Sequence, residues 1–164
     1  MNRTILAVCV SAALAALPLS GDDTQSCPDH AKHVAERGDK VMGFSHEKTK
    51  HTFRLAADGG SIEVRANATD DAESIAAIRT HLQDVAKDFT AGNFAKPEAI
   101  HSRMPDGAAA MNELRRAIAY RYEEIPNGAA VRISTHDPRA LEAIHQFLEF
   151  QISDHHTGDS GKVE

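Results

Sequence analysis

The chain predicts an α+β fold, with two ββα repeats forming a four-stranded antiparallel sheet and the helices on one face. Three observations predict it. Residues 51–55 and 61–68 alternate apolar and polar with the two-residue period of half-buried strands, around the hairpin signal Asp58-Gly59-Gly60. Residues 119–124 and 130–135 alternate in the same way around Pro126-Asn127-Gly128. Each pair is followed by an apolar stripe of helical period: Ile75, Ile78, Leu82, Val85, Ala86 and Phe89 first, then Leu141, Ile144, His145, Leu148 and Ile152.

Residues 1–21 come first and read as a secretory signal peptide. Arg3 precedes an apolar run from Ile5 to Leu17, Pro18 ends it, and the small residues Ser20 and Gly21 offer the cleavage point. The run is shorter than the roughly 20 residues a membrane span needs. The expectation is export, to a periplasm or the exterior, without a stable membrane anchor. Cys27 follows Thr24-Gln25-Ser26 and not an apolar lipobox, so no lipid anchor is expected there.

Within segment 22–50, residues 29–40 predict a short helix weakened by Gly38. In the first hairpin Phe53, Leu55, Ile62, Val64 and Ala66 face one way, and Arg54, Glu63 and Arg65 the other. Asp70 or Asp71 caps the helix that follows, Asp71 and Glu73 favour its N-terminal dipole, and Gly92 ends it. The connection through residues 94–116 reads as loops around Pro97 and Pro105-Asp106-Gly107, then a short helix through Met111 and Leu114. Asp137 caps the last helix, residues 139–155, and Pro138 suits its first position.

Laid over each other, Phe53-Arg54-Leu55 meets Tyr120-Arg121-Tyr122, Ile62-Glu63-Val64 meets Val131-Arg132-Ile133, and Ile78 and Leu82 meet Ile144 and Leu148. A single hairpin with one helix is marginal in water, so two such units are expected to merge into one domain over residues 51–156. The small, polar tail 157–164 is expected to be disordered.

Composition narrows the function. Of 164 residues, about 143 remain after the leader, the size of one domain. The net charge of −6 argues against nonspecific nucleic-acid binding, which needs clustered cations. Tryptophan is absent and aromatics make up only 5%, so aliphatic residues must carry the core. Cys27 is the one cysteine after the leader, which leaves no internal disulfide. There is no G-x-S-x-G, H-E-x-x-H, phosphate loop or haem-attachment motif, so an enzyme is the less expected class.

Histidine is the outlier, with ten in the chain. The densest group is Val41 to His51, where Met42, His46 and His51 flank a loop entering the first strand. Imidazole is a common metal ligand and a thioether adds preference for soft ions. His51 shares its strand face with Phe53, while His81 and His145 lie on or beside the two helical stripes, so these three are expected to converge on one interior site. His101 with Met104, and Cys27-x₂-His30-x₂-His33, are weaker groupings, since structural zinc needs four ligands.

The leading expectation is therefore a protein that binds copper or zinc through His46, His51, His81, His145 and Met42, for sequestration or hand-off in the cell envelope. The alternative is a non-metal module. Its outer sheet face, with Arg54, Arg65, Arg121 and Arg132, would take a protein partner, a small anion or a second copy as a homodimer.

The strings GFSHEKTKHTFRL, GGSIEVRAN and AIHQFLEFQISDHHTGD resemble a family of small exported bacterial proteins that has no assigned activity. The likeness runs from His30 to Asp159. It implies a single domain and brings no catalytic residue or cofactor with it.

Overall fold

The computed structural model describes residues 28–164; the leader expected at residues 1–21 and Cys27 lie outside them. Nine elements follow in chain order: α1 Pro28–Met42, β1 Thr49–Ala56, β2 Gly59–Ala66, α2 Ala72–Thr90, α3 Ala95–His101, α4 Ala108–Glu113, β3 Ile118–Ile125, β4 Gly128–Thr135 and α5 Pro138–Asp154. Two short 3-10 turns, His46–Lys48 and Arg115–Ala117, lead into β1 and β3. The fold is α+β, as the alternation and the stripes require.

Each hairpin closes through two residues, Ala57-Asp58 or Pro126-Asn127, and Asn127 supplies the positive φ of 59°. The hairpins join through their second strands, giving the order β1-β2-β4-β3 with every neighbour antiparallel. Ile62 lies opposite Val131 at the centre of the β2–β4 ladder. Glycine is needed at the two ends of that ladder. A Cβ on Gly59 would stand 2.1 Å from the Ile133 carbonyl oxygen, and one on Gly128 would stand 1.9 Å from that of Val64.

Thr49 corresponds to Ile118 and Gly59 to Gly128, both 69 positions apart, so both strands of the two units share one offset. That corrects the pairing of Phe53 with Tyr120 drawn from apolar spacing. His51 occupies the place of Tyr120, and Phe53 that of Tyr122. The helices keep the expected offset: both begin at an aspartate N-cap, Asp71 accepting from the Ser74 N–H and Asp137 from those of Arg139 and Ala140.

Both long helices lie on the apolar sheet face, each over the other unit's hairpin. α2 packs chiefly on β3 and β4, and α5 chiefly on β1 and β2. The crossing buries Ile78, Leu82, Ile144, Phe147 and Leu148 against Leu55, Val64, Val131 and Ile133, all at 2% exposure or less.

Three segments differ from expectation. α1 continues through Gly38 to Met42 because it packs on α3, and tertiary contact overrides the weak local propensity. The stretch around Pro97 is helical, since proline in a first turn removes an N–H that has no intrahelical partner. The tail is placed along the free edge of β1. The Phe53 N–H donates to the Asp159 carboxylate at 2.8 Å, the Glu164 N–H donates to the Leu55 carbonyl at 3.1 Å, and Val163 bridges Leu55 in parallel. An edge strand presents unpaired backbone groups, and the tail supplies partners for them.

Asp159→Ala is expected to accelerate amide exchange at Phe53 by about tenfold, the loss of one charge-assisted hydrogen bond, and to leave the core amides of β2 unchanged. Hydrogen exchange followed by NMR reads this directly, and unaltered Phe53 protection would contradict the placement of the tail.

Candidate functional site

The inward parity of β1, the stripe of α2 and the ends of α1, α3 and α5 bring a set of polar side chains to one end of the core. His51 comes from β1, His81 from α2, Met42 and His101 from the last residues of α1 and α3, and Gln151, Asp154 and His155 from the last turn and C-cap of α5. All but Asp154, which borders a neighbouring hollow, surround a cavity of about 50 Å³ whose remaining walls are mostly apolar, among them Phe53, Leu82 and Phe147. Met42, His51 and His155 also line a neighbouring hollow of about 240 Å³ under α1.

The rings form a stacked ladder. His51 and His155 lie face to face with centroids 5.5 Å apart and planes 4° from parallel, and Phe53 covers His155 at 5.7 Å. Phe44 stacks on His51 at 6.0 Å and meets His81 edge-on at 5.6 Å. His101 stands nearly perpendicular to His155 at 4.9 Å.

Asp154 ties the cluster to the scaffold. It is buried, and its two oxygens accept from His101 Nδ1 at 2.5 Å and His30 Nε2 at 2.9 Å, joining α5 to α3 and α1. Burial alone would raise its pKa, but the hydrogen bonds from His101 and His30 outweigh it and hold the carboxyl down to about 2. Arg37 Nε donates to the Ile100 carbonyl at 2.6 Å and fixes α1 to α3 a second time. His101 Nε2 lies 3.1 Å from Gln151 Oε1, while the amide nitrogen of Gln151 is buried without a partner. Half a turn of that amide would give a neutral His101 ring an N–H to accept.

His51, His81 and His155 behave differently. Whereas His30, His46, His101 and His145 all have ring hydrogen bonds, these three have none to the described residues. Burial pushes their pKa values from the ordinary 6.5 down to about 4, 4 and 3, helped by His81 beside His51, by Lys96 beside His81, and by His51 and His101 beside His155. All three are neutral at neutral pH, and each keeps a ring nitrogen lone pair for a ligand.

The corresponding positions of the other unit carry aromatic or aliphatic side chains. Across the strand offset of 69 and the helix offset of 66, His51 matches Tyr120, His81 matches Phe147, His155 matches Phe89 and Gln151 matches Val85. There Phe89 meets Tyr120 at 5.8 Å and Phe147 at 5.7 Å. The Tyr120 hydroxyl is buried without a partner, and burial raises its pKa. Phe89, Phe147 and Val85 line the same cavity as the imidazoles, so the aromatic and imidazole positions share its walls.

Of the five ligands expected from sequence, Met42, His51 and His81 line the cavity. His46 lies at the rim of the neighbouring hollow, its ring and its N–H both on the Asp39 carboxylate at 2.9 and 2.7 Å. His145 does not belong with them. Its Nε2 is shared between the Ala56 and Gly59 carbonyls at 3.0 and 3.1 Å, pinning the first hairpin at the opposite end of β1. His155 and Asp154 were missed because they sit where the stripe of α5 ends. His101 was set apart with Met104, which is exposed. Of the Cys27-His30-His33 grouping, His30 is held by Asp154 and His33 lies 3.7 Å from Glu36, while Cys27 is outside the described residues. Among the described residues no three His, Cys, Asp or Glu side chains already stand within reach of one ion.

The outer sheet face is laced with ion pairs. Arg54 and Arg65 flank Glu63 at 3.6 and 3.2 Å, Arg121 meets Glu123 at 2.5 Å, and Arg132 pairs with Asp58. Each expected anion-binding arginine already has a carboxylate, the arrangement of a solvated face. No family model, curated protein or solved structure matches the chain.

The depressed histidine pKa values set a pH dependence. Below pH 6.5 the unfolded chain takes up protons that the folded site refuses, so stability present above that pH is lost as pH falls toward 4 and 3. The expected slope is up to about 1.4 kcal/mol per pH unit for each histidine. Urea unfolding at pH 7.5, 6 and 5 measures it, and His155→Phe should flatten the curve. Equal midpoints at all three values would contradict the assignment.

Proposed function

We propose that the protein binds a transition-metal ion, copper or zinc, at the histidine cluster, and that as an exported protein it sequesters or hands off that ion in the cell envelope. One observation carries the reading. Three neutral imidazoles, His51, His81 and His155, surround a common cavity without hydrogen-bond partners among the described residues, at positions the other half of the fold fills with Tyr120, Phe147 and Phe89. The buried unpartnered polar atoms of the described residues are the Tyr120 hydroxyl and the Gln151 amide nitrogen, whereas the three rings stay partly exposed with lone pairs open to the cavity. Retaining three together is explained if a ligand completes them.

Imidazole chemistry favours a metal as that ligand, because a neutral ring coordinates without first losing a proton. His101 is oriented from behind by Asp154, the carboxylate–histidine arrangement that fixes ligand rings in metal sites. The stack of His51 on His155 has to open for both nitrogens to turn onto one ion, so binding is coupled to ring rotation. The hollow under α1, with His46 at its rim, offers the approach. The arginine face has less to support it, since its cations are already paired.

Elemental analysis and metal titration test the reading. At 100 times Kd, an ion bound only to the folded state adds about 2.7 kcal/mol, which raises Tm by about 8 °C for a domain of this size. His155→Phe, the residue the other unit carries there, is expected to fold with unchanged or higher stability at pH 7 and to lose the metal-dependent shift. A protein whose Tm is indifferent to Cu(I), Cu(II) and Zn(II) would overturn the proposal.

A further inference from the structure

We infer that the site is built for a soft monovalent ion, Cu(I), in preference to Zn(II), with Met42 as one of its ligands; this rests on the metal-binding reading above. The donor set is the first ground. The cavity offers neutral imidazoles and the thioether of Met42, which is buried at 7% exposure and lines both the cavity and the hollow. The described residues contain no cysteine, and both oxygens of Asp154 are already engaged by His101 and His30. Among the described residues no thiolate and no free carboxylate faces the cavity, whereas zinc sites draw on these or on four well-placed ligands. Thioether donors select Cu(I).

Charge is the second ground. The cost of placing an ion in an apolar enclosure rises with the square of its charge, so a divalent ion is penalised fourfold over a monovalent one. Asp154 is the one carboxylate buried in the cluster, and it offsets a single positive charge. The charged group on the cavity wall, Lys96, is a cation already paired with Asp88, and Asp154 lies behind His101. A monovalent ion leaves the enclosure neutral, and a divalent ion leaves it positive beside that lysine.

Coordination number is the third ground. Among the described residues no three His, Cys, Asp or Glu side chains already stand within reach of one ion, so a four-ligand zinc site is not assembled. Cu(I) is satisfied by two or three soft ligands.

Anaerobic titration of the purified protein with Cu(I) and Ag(I), each against a competing chelator, and separately with Zn(II), reads the preference. The expected result is one Cu(I) or Ag(I) per chain, with Zn(II) bound at least about 100-fold more weakly. X-ray absorption at the copper edge should show a sulfur neighbour that disappears in Met42→Leu, a swap of similar volume that keeps the fold. The same variant should weaken Cu(I) by about tenfold and leave Zn(II) unaffected. Zn(II) binding as tight as Cu(I), or copper without a sulfur neighbour in the unaltered protein, would overturn the inference while leaving metal binding intact. Failure of every ion to bind would overturn both readings.

Discussion

The pairing of β2 with β4 is the constraint on which the rest of the molecule depends. Neither hairpin alone has a second face to bury against, and the ladder centred on Ile62 and Val131 makes one sheet of them. Gly59 and Gly128 sit at its two ends, where any side chain would strike a carbonyl of the opposite strand. With the sheet formed, α2 and α5 cover it by crossing over, each onto the hairpin of the other unit. Sequence-distant segments thus become neighbours in the core. The crossing also brings the C-terminal end of α5 beside the inward face of β1, and so brings His155 onto His51.

From that placement the character of the cluster follows. Its stability comes from ties on its periphery: Asp154 holds α1 and α3 through His30 and His101, and Arg37 repeats the link to α3. Within the ring of ties the imidazoles are held by stacking and enclosure alone. Stacked neutral rings have low intrinsic cost when partly buried, but they are free to rotate in a way that hydrogen-bonded rings are not. Rigid support outside and rings without hydrogen bonds inside is the arrangement on which the proposed binding site rests.

Much of the fold was legible in the sequence because its signals are local. Alternation in residues 51–55 and 130–135, turn residues at 58–60 and 126–128, and aspartate caps at 71 and 137 each act within a few positions. What was illegible depends on partners. Periodicity in α2 says that Ile78 and Leu82 are buried but not that they meet the other hairpin. The composition of the tail reports its side chains, while its docking on β1 uses the Phe53 and Leu55 backbone. The site divides in the same way. Strand parity placed His51, and the stripe of α2 placed His81. The same stripe logic put His145 with them, yet it lies at the turn end of β1 and serves the hairpin. His101, Asp154 and His155 stand at helix ends, where a stripe no longer predicts direction.

The two corresponding niches offer a comparison the molecule makes with itself. Where Phe89, Tyr120 and Phe147 pack, dispersion and hydrophobic burial both favour folding, with only the Tyr120 hydroxyl left unpartnered. Where His155, His51 and His81 stand at the corresponding positions, burial is partial, ring nitrogens are left without partners among the described residues, and acid destabilises the site. The backbone does not impose this, since strands of equal length and helices with the same cap meet in both halves. The imidazoles are therefore a property of the side chains alone. Three imidazoles at these positions, beside a carboxylate that orients a fourth ring, are the observation on which the proposed cation site rests.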